Sequence, residues 1–246
     1  MFPHLIAGPI VRFKQVTDDL DNRTYDSNLF NYGLYRFILG VNKKILIANS
    51  VAPMADLAFA YNITDISMLD AWLGAIAYML QIYFDFSAYS DMAIGLAAMA
   101  GFRFSENFMS PYKSRSIKEF WRRWHISLSS WLRDYVYIPL GGSRVRTSRI
   151  YFNLITVFFL CGLWHGANFT FVVWGLYNGL FLILERLFLG KVLERIPSLL
   201  THLYAVFVVL IGWVIFRADN LTQAVDYLSV MFGISNYGNA SICSYK

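Results

Sequence analysis

Four histidines are the side chains best suited to move a proton near neutral pH: His4, His125, His165 and His202. An imidazole can act as a general base or acid because its ordinary pKa is about 6.5. His165 lies in the break WHGAN between two uncharged runs, where a neutral imidazole is suited to act as a general base. The alternative is a structural histidine bonded to a neighbouring carbonyl. We interpret His4 and His202 as structural.

His125 is the second candidate, and it lies in the run WRRWHISLS. Trp121, His125 and Ser129 are four residues apart, so one α-helix through this run would place them on one face. An indole, an imidazole and a hydroxyl would then form one stripe. The alternative is an interfacial aromatic belt in which Arg122 and Arg123 extend their charged ends to water.

Two carboxylates, Asp85 and Asp91, are the charged side chains of the apolar stretch 71–102. A buried carboxylate needs an ion pair or hydrogen bonds. We expect a structural ion pair with a basic residue further along the chain, although the acids could also orient a histidine. The expected partners are Arg122, Arg123 or Arg133. A proton pathway built on the two acids and the two candidate histidines is a further interpretation.

Several other chemistries have no support in the sequence. The two cysteines, Cys161 and Cys243, form no CxxC or Cys/His ligand spacing, so we expect no metal site. The patterns HxxxxD, GxSxG, Walker A and HExxH do not occur, which argues against the enzyme classes that use them.

The composition indicates that lipid surrounds the elements that position these residues. Of 246 residues, 57% are hydrophobic and 15% are charged, whereas a soluble domain has about 45–50% apolar and about 25% charged residues. The runs 150–184 and 196–216 contain no Asp, Glu, Lys or Arg. Because about 20 apolar residues suffice for one helical span, the sequence predicts an all-α, polytopic membrane protein.

We predict a single membrane domain, 1–246, in four parts. These are a polar N-terminal loop at 1–30, spans at 31–102, basic interfacial helices at 103–149, and spans with an amphipathic helix at 150–233. The elements within them are a short, tilted or interfacial helix at 31–61, one long or two broken spans at 71–102, an amphipathic helix at 113–139, spans at 150–164, 169–187 and 200–216, and an amphipathic piece at 221–233.

The positive charge of the chain is concentrated in one segment. The net charge is +5, and the segment 103–149 contains ten Lys or Arg against three acids, a net of +7. Basic segments between apolar spans favour the cytoplasmic face. One interpretation is topology and contact with anionic lipid alone. The other adds a docking site for an acidic partner or a phosphate-bearing donor.

Six runs resemble the motifs of the membrane-bound O-acyltransferase family, in the same order and over nearly the whole chain. They are FPHLIAGPI at 2–10, DFSAYSDMAIG at 85–95, PY at 111–112, FWRRWHISL at 120–128, YIPLGG at 137–142 and WHGA at 164–167. The resemblance is closest to the branch that O-acetylates alginate, and the branch that transfers D-alanine to teichoic acid is a nearby relative.

The resemblance implies a helical bundle around a tunnel in the bacterial inner membrane. A cytoplasmic thioester, acetyl-coenzyme A or an acylated carrier protein, would donate its acyl group for O-acetylation of an extracytoplasmic polysaccharide such as alginate. No bound cofactor, metal or nucleic acid is implied. The implied partners are an extracytoplasmic acetyltransferase, a carrier protein and the lipid membrane.

The resemblance also assigns roles to particular residues. His165 matches the usual catalytic histidine and would deprotonate the acceptor hydroxyl. His125 matches a histidine on the donor side, which would position the donor or help the thiolate leave. The expected tunnel residues are Trp121, Trp124, Trp164, Ser129 and Asn168, and the expected structural or orienting residues are Asp85, Asp91, Arg122 and Arg123.

One departure from the family concerns length. Members carry several more spans before the FPHLIAGPI run and usually more after the last predicted span, so the sequence resembles about half of a member. We therefore expect a truncated gene, a mis-called start or a fragment. A non-catalytic scaffold of the polysaccharide acetylation machinery is the alternative function.

Overall fold

Helices joined by turns make up the part of the chain that the structure describes. The computed structural model describes residues 8–12, 17, 20 and 26–234, and within them the all-α prediction is confirmed. The α-helices are α1 Ser27–Asn42, α2 Asn49–Ala60, α3 Met68–Met99, α4 Ile117–Arg123, α5 Ile126–Leu132, α6 Thr147–His165, α7 Phe169–Leu184, α8 Gly190–Leu193, α9 Ser198–Arg217 and α10 Leu221–Met231. The predictions for His4 and Cys243 lie outside the described residues.

The chain divides into two compact units, and it passes from one unit to the other several times, including within α2, α3, α4 and α5. The first unit comprises Met1–Ser50, Leu80–Pro111 and Trp121–Trp131, and the second comprises Val51–Met79, Tyr112–Phe120 and Leu132–Lys246. Each unit therefore combines segments that are distant in sequence. The single membrane domain predicted from the sequence stays a prediction.

In the first unit, α1 packs closely against the second half of α3. A Cβ atom added to Gly33 would lie 2.6 Å from the Gly95 carbonyl oxygen, and one added to Gly95 would lie 2.6 Å from the Gly33 carbonyl oxygen. Only glycine permits this approach, because any side chain would push the two backbones apart. Asp26 begins α1 by accepting a hydrogen bond from the Asn28 N–H at 2.9 Å.

The second unit contains three helices long and apolar enough to cross a membrane. Within the described residues these are Thr147–His165, Phe169–Leu193 and Ser198–Arg217. These helices lie where the sequence predicts spans at 150–164, 169–187 and 200–216, and that they cross a membrane stays a prediction. The 32-residue helix α3 is not one of the three, so a span there stays a prediction.

Two predictions depart from the observed helices: the end of the N-terminal loop and the single amphipathic helix at 113–139. The helix α1 begins at Ser27, inside the predicted loop 1–30. Residues 27–60 form one continuous helical run, with a π-helical segment at Lys43–Ala48 between α1 and α2. The predicted amphipathic helix 113–139 is four short pieces instead: a 3-10 turn at Pro111–Lys113, α4, α5 and a π-helical turn at Arg133–Tyr137. The last prediction, an amphipathic helix near 221–233, is confirmed by α10.

Candidate functional site

His125 lies at a sharp break between α4 and α5, in the first unit. Its φ angle is +42°, a left-handed conformation that is uncommon for any residue other than glycine. Asn107 stabilises the break from a distant part of the chain, because its backbone oxygen accepts the Ile126 N–H at 3.0 Å and its Oδ1 accepts the Ser127 N–H at 3.1 Å. These bonds cap the start of α5, where the first N–H groups have no partner within the helix.

The break overturns the predicted stripe of Trp121, His125 and Ser129. Spacing by four residues places side chains on one face only while the helix continues, and here α4 ends at Arg123. The Ser129 hydroxyl instead donates back to the Trp124 carbonyl oxygen at 3.4 Å. The three residues therefore do not share one helix face.

The imidazole of His125 has one polar side and one aromatic side. It is 3% exposed, and its Nδ1 lies 3.2 Å from Asn107 Oδ1 and 3.4 Å from Ser127 Oγ. Phe86 meets the ring edge-on at a centroid distance of 4.8 Å, and Phe108 lies nearly parallel to it at 6.5 Å. The ring is thus anchored at one nitrogen in an apolar surround.

The two tryptophans that flank this histidine are buried. Trp121 is 9% exposed and Trp124 is 4% exposed. Trp124 packs edge-on against Phe108 with ring centroids 5.0 Å apart, and it also contacts Tyr83 at 6.2 Å. Both indoles belong to the interior, and their role in a tunnel stays a prediction.

His165 is the last residue of α6, in the second unit, and four aromatic rings border it. His165 is partly exposed, and Trp164 is 57% exposed. The centroids of Trp164, Trp174 and Phe216 lie 4.9, 5.2 and 5.1 Å from the imidazole centroid, and Phe171 lies at 6.2 Å. Within the described part of the chain, its ring nitrogens make no hydrogen bond. The bond to a neighbouring carbonyl that a purely structural histidine would make is not found there.

The loop after His165 turns the chain sharply from α6 to α7. Asn168 begins α7, because its Oδ1 accepts the Thr170 N–H at 3.1 Å, and its Nδ2 donates to the Asp219 carbonyl oxygen at 2.7 Å. Both polar ends of this amide are therefore engaged. The bond to Asp219 holds the end of α9, and with it Phe216, beside the His165 loop.

The two acids form ion pairs, but with partners other than those predicted. Asp91 binds Arg36 at 2.7 Å and Lys43 at 2.6 Å, and Asp85 binds Lys44. Arg36 also pairs with Glu106. All of these residues belong to the first unit, so the two acids of α3 form ion pairs with basic residues of the helical run 27–60.

The basic residues expected to pair with these acids have other positions. Arg122 is exposed, and Arg123 donates to the Met109 carbonyl oxygen at 3.1 Å. Arg133 pairs with its neighbour Asp134 at 2.7 Å, and this hydrogen bond raises the pKa of the guanidinium. The pairing predicted with Asp85 and Asp91 is therefore wrong for all three.

Sequence reasoning missed several residues that shape the two histidine environments. Asn107 lies 18 residues before His125, and nothing in local spacing connects them. Phe86 lies in the run DFSAYSDMAIG, but its spacing gives no sign of a contact with His125. Three further aromatic residues around His165 lie on α7 and α9, and the one sequence feature that could have indicated them is their position in uncharged runs. Those residues are Phe171, Trp174 and Phe216.

The described residues contain no group of three or more His, Cys, Asp or Glu side chains that could hold a metal ion. The two environments can instead perform proton chemistry. One presents an imidazole anchored by an amide, and the other presents an imidazole enclosed by rings.

The helices and the sequence motifs of the chain are typical of one protein class. The family model for MBOAT, the membrane-bound O-acyltransferase family, matches residues 1–218, and the chain belongs to this family. This confirms the resemblance drawn from the six sequence runs.

Three relatives show the breadth of the similarity. The chain is 52% identical to the probable alginate O-acetylase AlgI of Azotobacter vinelandii, over 96% of the chain and 47% of the relative. It is 41% identical to a peptidoglycan O-acetyltransferase of Helicobacter pylori, over 98% and 46%. It is 31% identical to a teichoic acid D-alanyltransferase of Bacillus subtilis, over 76% and 50%. The chain spans about half the length of the curated relatives that it matches.

Proposed function

We propose that this chain carries the proton-transfer site of a membrane O-acyltransferase that acetylates an extracytoplasmic polysaccharide. The observation that carries the proposal is the environment of His165, an imidazole ringed by Trp164, Trp174, Phe171 and Phe216 without a hydrogen bond to any described residue. An imidazole held in this way keeps a lone pair for a substrate. Family membership and the relatives' names support acyl transfer as the reaction.

In the proposed reaction, a neutral His165 takes the proton of an acceptor hydroxyl. The hydroxyl oxygen attacks the carbonyl carbon of a thioester, an ester bond forms, and the carbon–sulfur bond breaks. The leaving thiolate takes up one proton, which balances the proton that His165 removed. The aromatic rings limit the access of water, which would otherwise hydrolyse the thioester.

The charge distribution supports the proposed donor and the proposed direction of transfer. The segment 103–149 carries a net charge of +7, and basic segments favour the cytoplasmic side of a membrane. The donor is therefore a cytoplasmic thioester that carries phosphate, acetyl-coenzyme A or an acylated carrier protein. The protein resides in the bacterial inner membrane, and an extracytoplasmic acetyltransferase is its partner.

The acceptor is assigned from the relatives. Several probable alginate O-acetylases are about half identical to the chain, whereas the peptidoglycan relative is 41% identical. We therefore propose alginate or a similar polysaccharide as the final acceptor. We propose Trp121, Trp124 and Trp164 as residues that contact substrate, and His125 as a residue that acts on the donor.

Complementation tests this proposal. Cells that lack their own alginate O-acetylase receive the chain alone or a hybrid in which the chain replaces the matching segment of the Azotobacter vinelandii relative. The readout is the O-acetyl content of the exported polysaccharide at equal membrane abundance. We expect acetylation with the hybrid, and its loss in His165→Ala.

A matched control separates chemistry from folding. His202 is a partly exposed histidine of the same unit whose Nδ1 lies 3.2 Å from the Ser114 carbonyl oxygen, and His202→Ala should leave acetylation within a few-fold of the parent. The proposal is wrong if His165→Ala retains full acetylation, or if neither the chain nor the hybrid acetylates. The second result would favour a scaffolding role.

A further inference from the structure

Asn107 is a fully buried amide that makes three hydrogen bonds with one oxygen. It is 0% exposed, and its Oδ1 lies 3.1 Å from the Ser127 N, 2.9 Å from the Ser127 Oγ and 3.2 Å from the His125 Nδ1. All three groups belong to the start of α5 or to the residue just before it. One side chain therefore caps this helix and contacts the candidate histidine at the same time.

The bond from the Ser127 backbone settles which end of the amide faces the histidine. A backbone N–H can only donate, so the atom that it meets must be the amide oxygen and not the NH2 group. An amide oxygen can only accept. The Nδ1 atom of His125 must therefore carry a proton and donate it to Asn107 Oδ1, and the lone pair of the neutral ring lies on Nε2.

We propose that Asn107 is a positioning residue that holds His125 in the Nδ1–H tautomer. The inference rests on the proposed function and makes the role of His125 more specific. Because Nε2 carries the lone pair, any substrate group that meets it has to be a hydrogen-bond donor, such as a hydroxyl or an amide N–H. His125 is then an acceptor toward the donor substrate, and it does not supply the proton for the leaving thiolate.

Two further observations on Asn107 and His125 support this role. The φ angle of +42° at His125 is a strained conformation, and such strain persists only where surrounding contacts enforce it. The two Asn107 bonds to the backbone of Ile126 and Ser127 supply that enforcement. In addition, Asn107 Nδ2 is buried and has no hydrogen-bond partner among the described residues. A buried donor without a partner is costly, so the oxygen contacts must compensate for it.

A capping role alone would not depend on His125, so the test must read the tautomer directly. The chain is labelled with 15N-histidine and placed in lipid nanodiscs, and the four histidine signals are assigned by replacing one histidine at a time. The 15N chemical shifts separate a protonated ring nitrogen from one that carries a lone pair. We expect the neutral His125 ring to show a protonated Nδ1 and an unprotonated Nε2. An Nε2–H tautomer in the unsubstituted chain would overturn the proposal, and this result requires no variant.

Variants then test whether Asn107 is the cause. In Asn107→Ala the Nδ1–H population should fall at least several-fold in favour of the Nε2–H form, whereas Asn107→Asp keeps an acceptor and should keep the proton on Nδ1. The matched control is Asn153→Ala, because Asn153 is also a fully buried amide but donates to the Leu140 and Gly142 carbonyl oxygens. It should leave the His125 signals unchanged. An unchanged tautomer in folded Asn107→Ala would overturn the proposal.

Acetylation by the hybrid protein provides a second readout. Partners that orient metal-binding histidines typically contribute about 10- to 100-fold in activity. By analogy, Asn107→Ala should lower acetylation by a factor of that order, and Asn107→Asp should restore most of it. If Asn107→Asp is as poor as Asn107→Ala, the positioning role is wrong. If the hybrid does not acetylate at all while the tautomer follows Asn107, the proposed function fails and the positioning of His125 stands.

Discussion

The two histidine environments differ in what holds the ring. In the first unit, His125 is fixed by polar bonds: an amide oxygen meets one ring nitrogen, and the same residue caps the helix that follows. In the second unit, His165 ends a long apolar helix, and four aromatic rings lie within about 6 Å of it. The His125 ring is held by a hydrogen bond at one nitrogen, whereas the His165 ring is held by packing against aromatic side chains.

This difference indicates a division of labour within the proposed reaction. A ring whose tautomer is fixed can meet only one kind of partner at its other nitrogen, which suits binding and orientation. A ring without hydrogen bonds can change protonation without breaking a structural contact, which suits proton transfer. We therefore expect the His165 environment to control the chemical step and the His125 environment to control the geometry of the donor.

The largest expected effect is the loss of the enclosed histidine. His165→Ala should lower acyl transfer by about 10²- to 10⁴-fold, the usual contribution of a general base, whereas His125→Ala should lower it by about 10- to 100-fold. Both are measured as O-acetyl content in the hybrid protein at equal membrane abundance. Equal losses from the two substitutions would contradict the division of labour.

The next prediction concerns how the His125 unit is held together. The side chain of Asp91 is 7% exposed and pairs with Arg36 and Lys43. Asp91→Asn leaves two partly buried cations without their shared carboxylate, and breaking such a pair costs about 3–5 kcal/mol. We expect a marked fall in thermal stability in detergent. Asp85→Asn is the matched control, because its pair with Lys44 is about 40% exposed on both sides and such pairs contribute about 0–1 kcal/mol. Similar losses from both variants would show that burial does not set the cost.

The amount of structure that could be predicted from the sequence differs between the two units. The three spans of the second unit were predicted within a few residues, because long uncharged runs bounded by charges leave few alternatives in lipid. The break at His125 was not predicted, because spacing by four residues continues through it and the residue that caps α5 lies 18 positions earlier. The partners of Asp91 were missed for a related reason. Close packing at Gly33 and Gly95 brings α1 against α3, and residue spacing along the sequence does not predict a contact between two separate helices.

The aromatic enclosure provides a third prediction. Phe216 contacts His165, Phe171 and Trp174 at centroid distances of 5.1, 4.8 and 5.0 Å. Phe216→Ala removes one wall and admits water, so the ratio of free acetate to acetylated polysaccharide should rise. Phe216→Leu keeps an apolar wall and should change that ratio little. An unchanged ratio in Phe216→Ala would mean that this ring does not protect the thioester.

The smallest expected effect tests whether polar anchoring is specific to His125. Asn168 is the polar anchor nearest to His165 in sequence, but its bonds go to Thr170 N and to the Asp219 carbonyl oxygen, and neither goes to the imidazole. Asn168→Ala should cost about 1 kcal/mol through the lost helix cap and should leave acetylation within a few-fold. Asn168→Asp keeps the cap and should recover most of that stability. If Asn168→Ala instead lowers acetylation as much as Asn107→Ala does, polar side chains would matter equally for activity in both units. The two histidines would then differ in the residues around them but not in how those residues support activity.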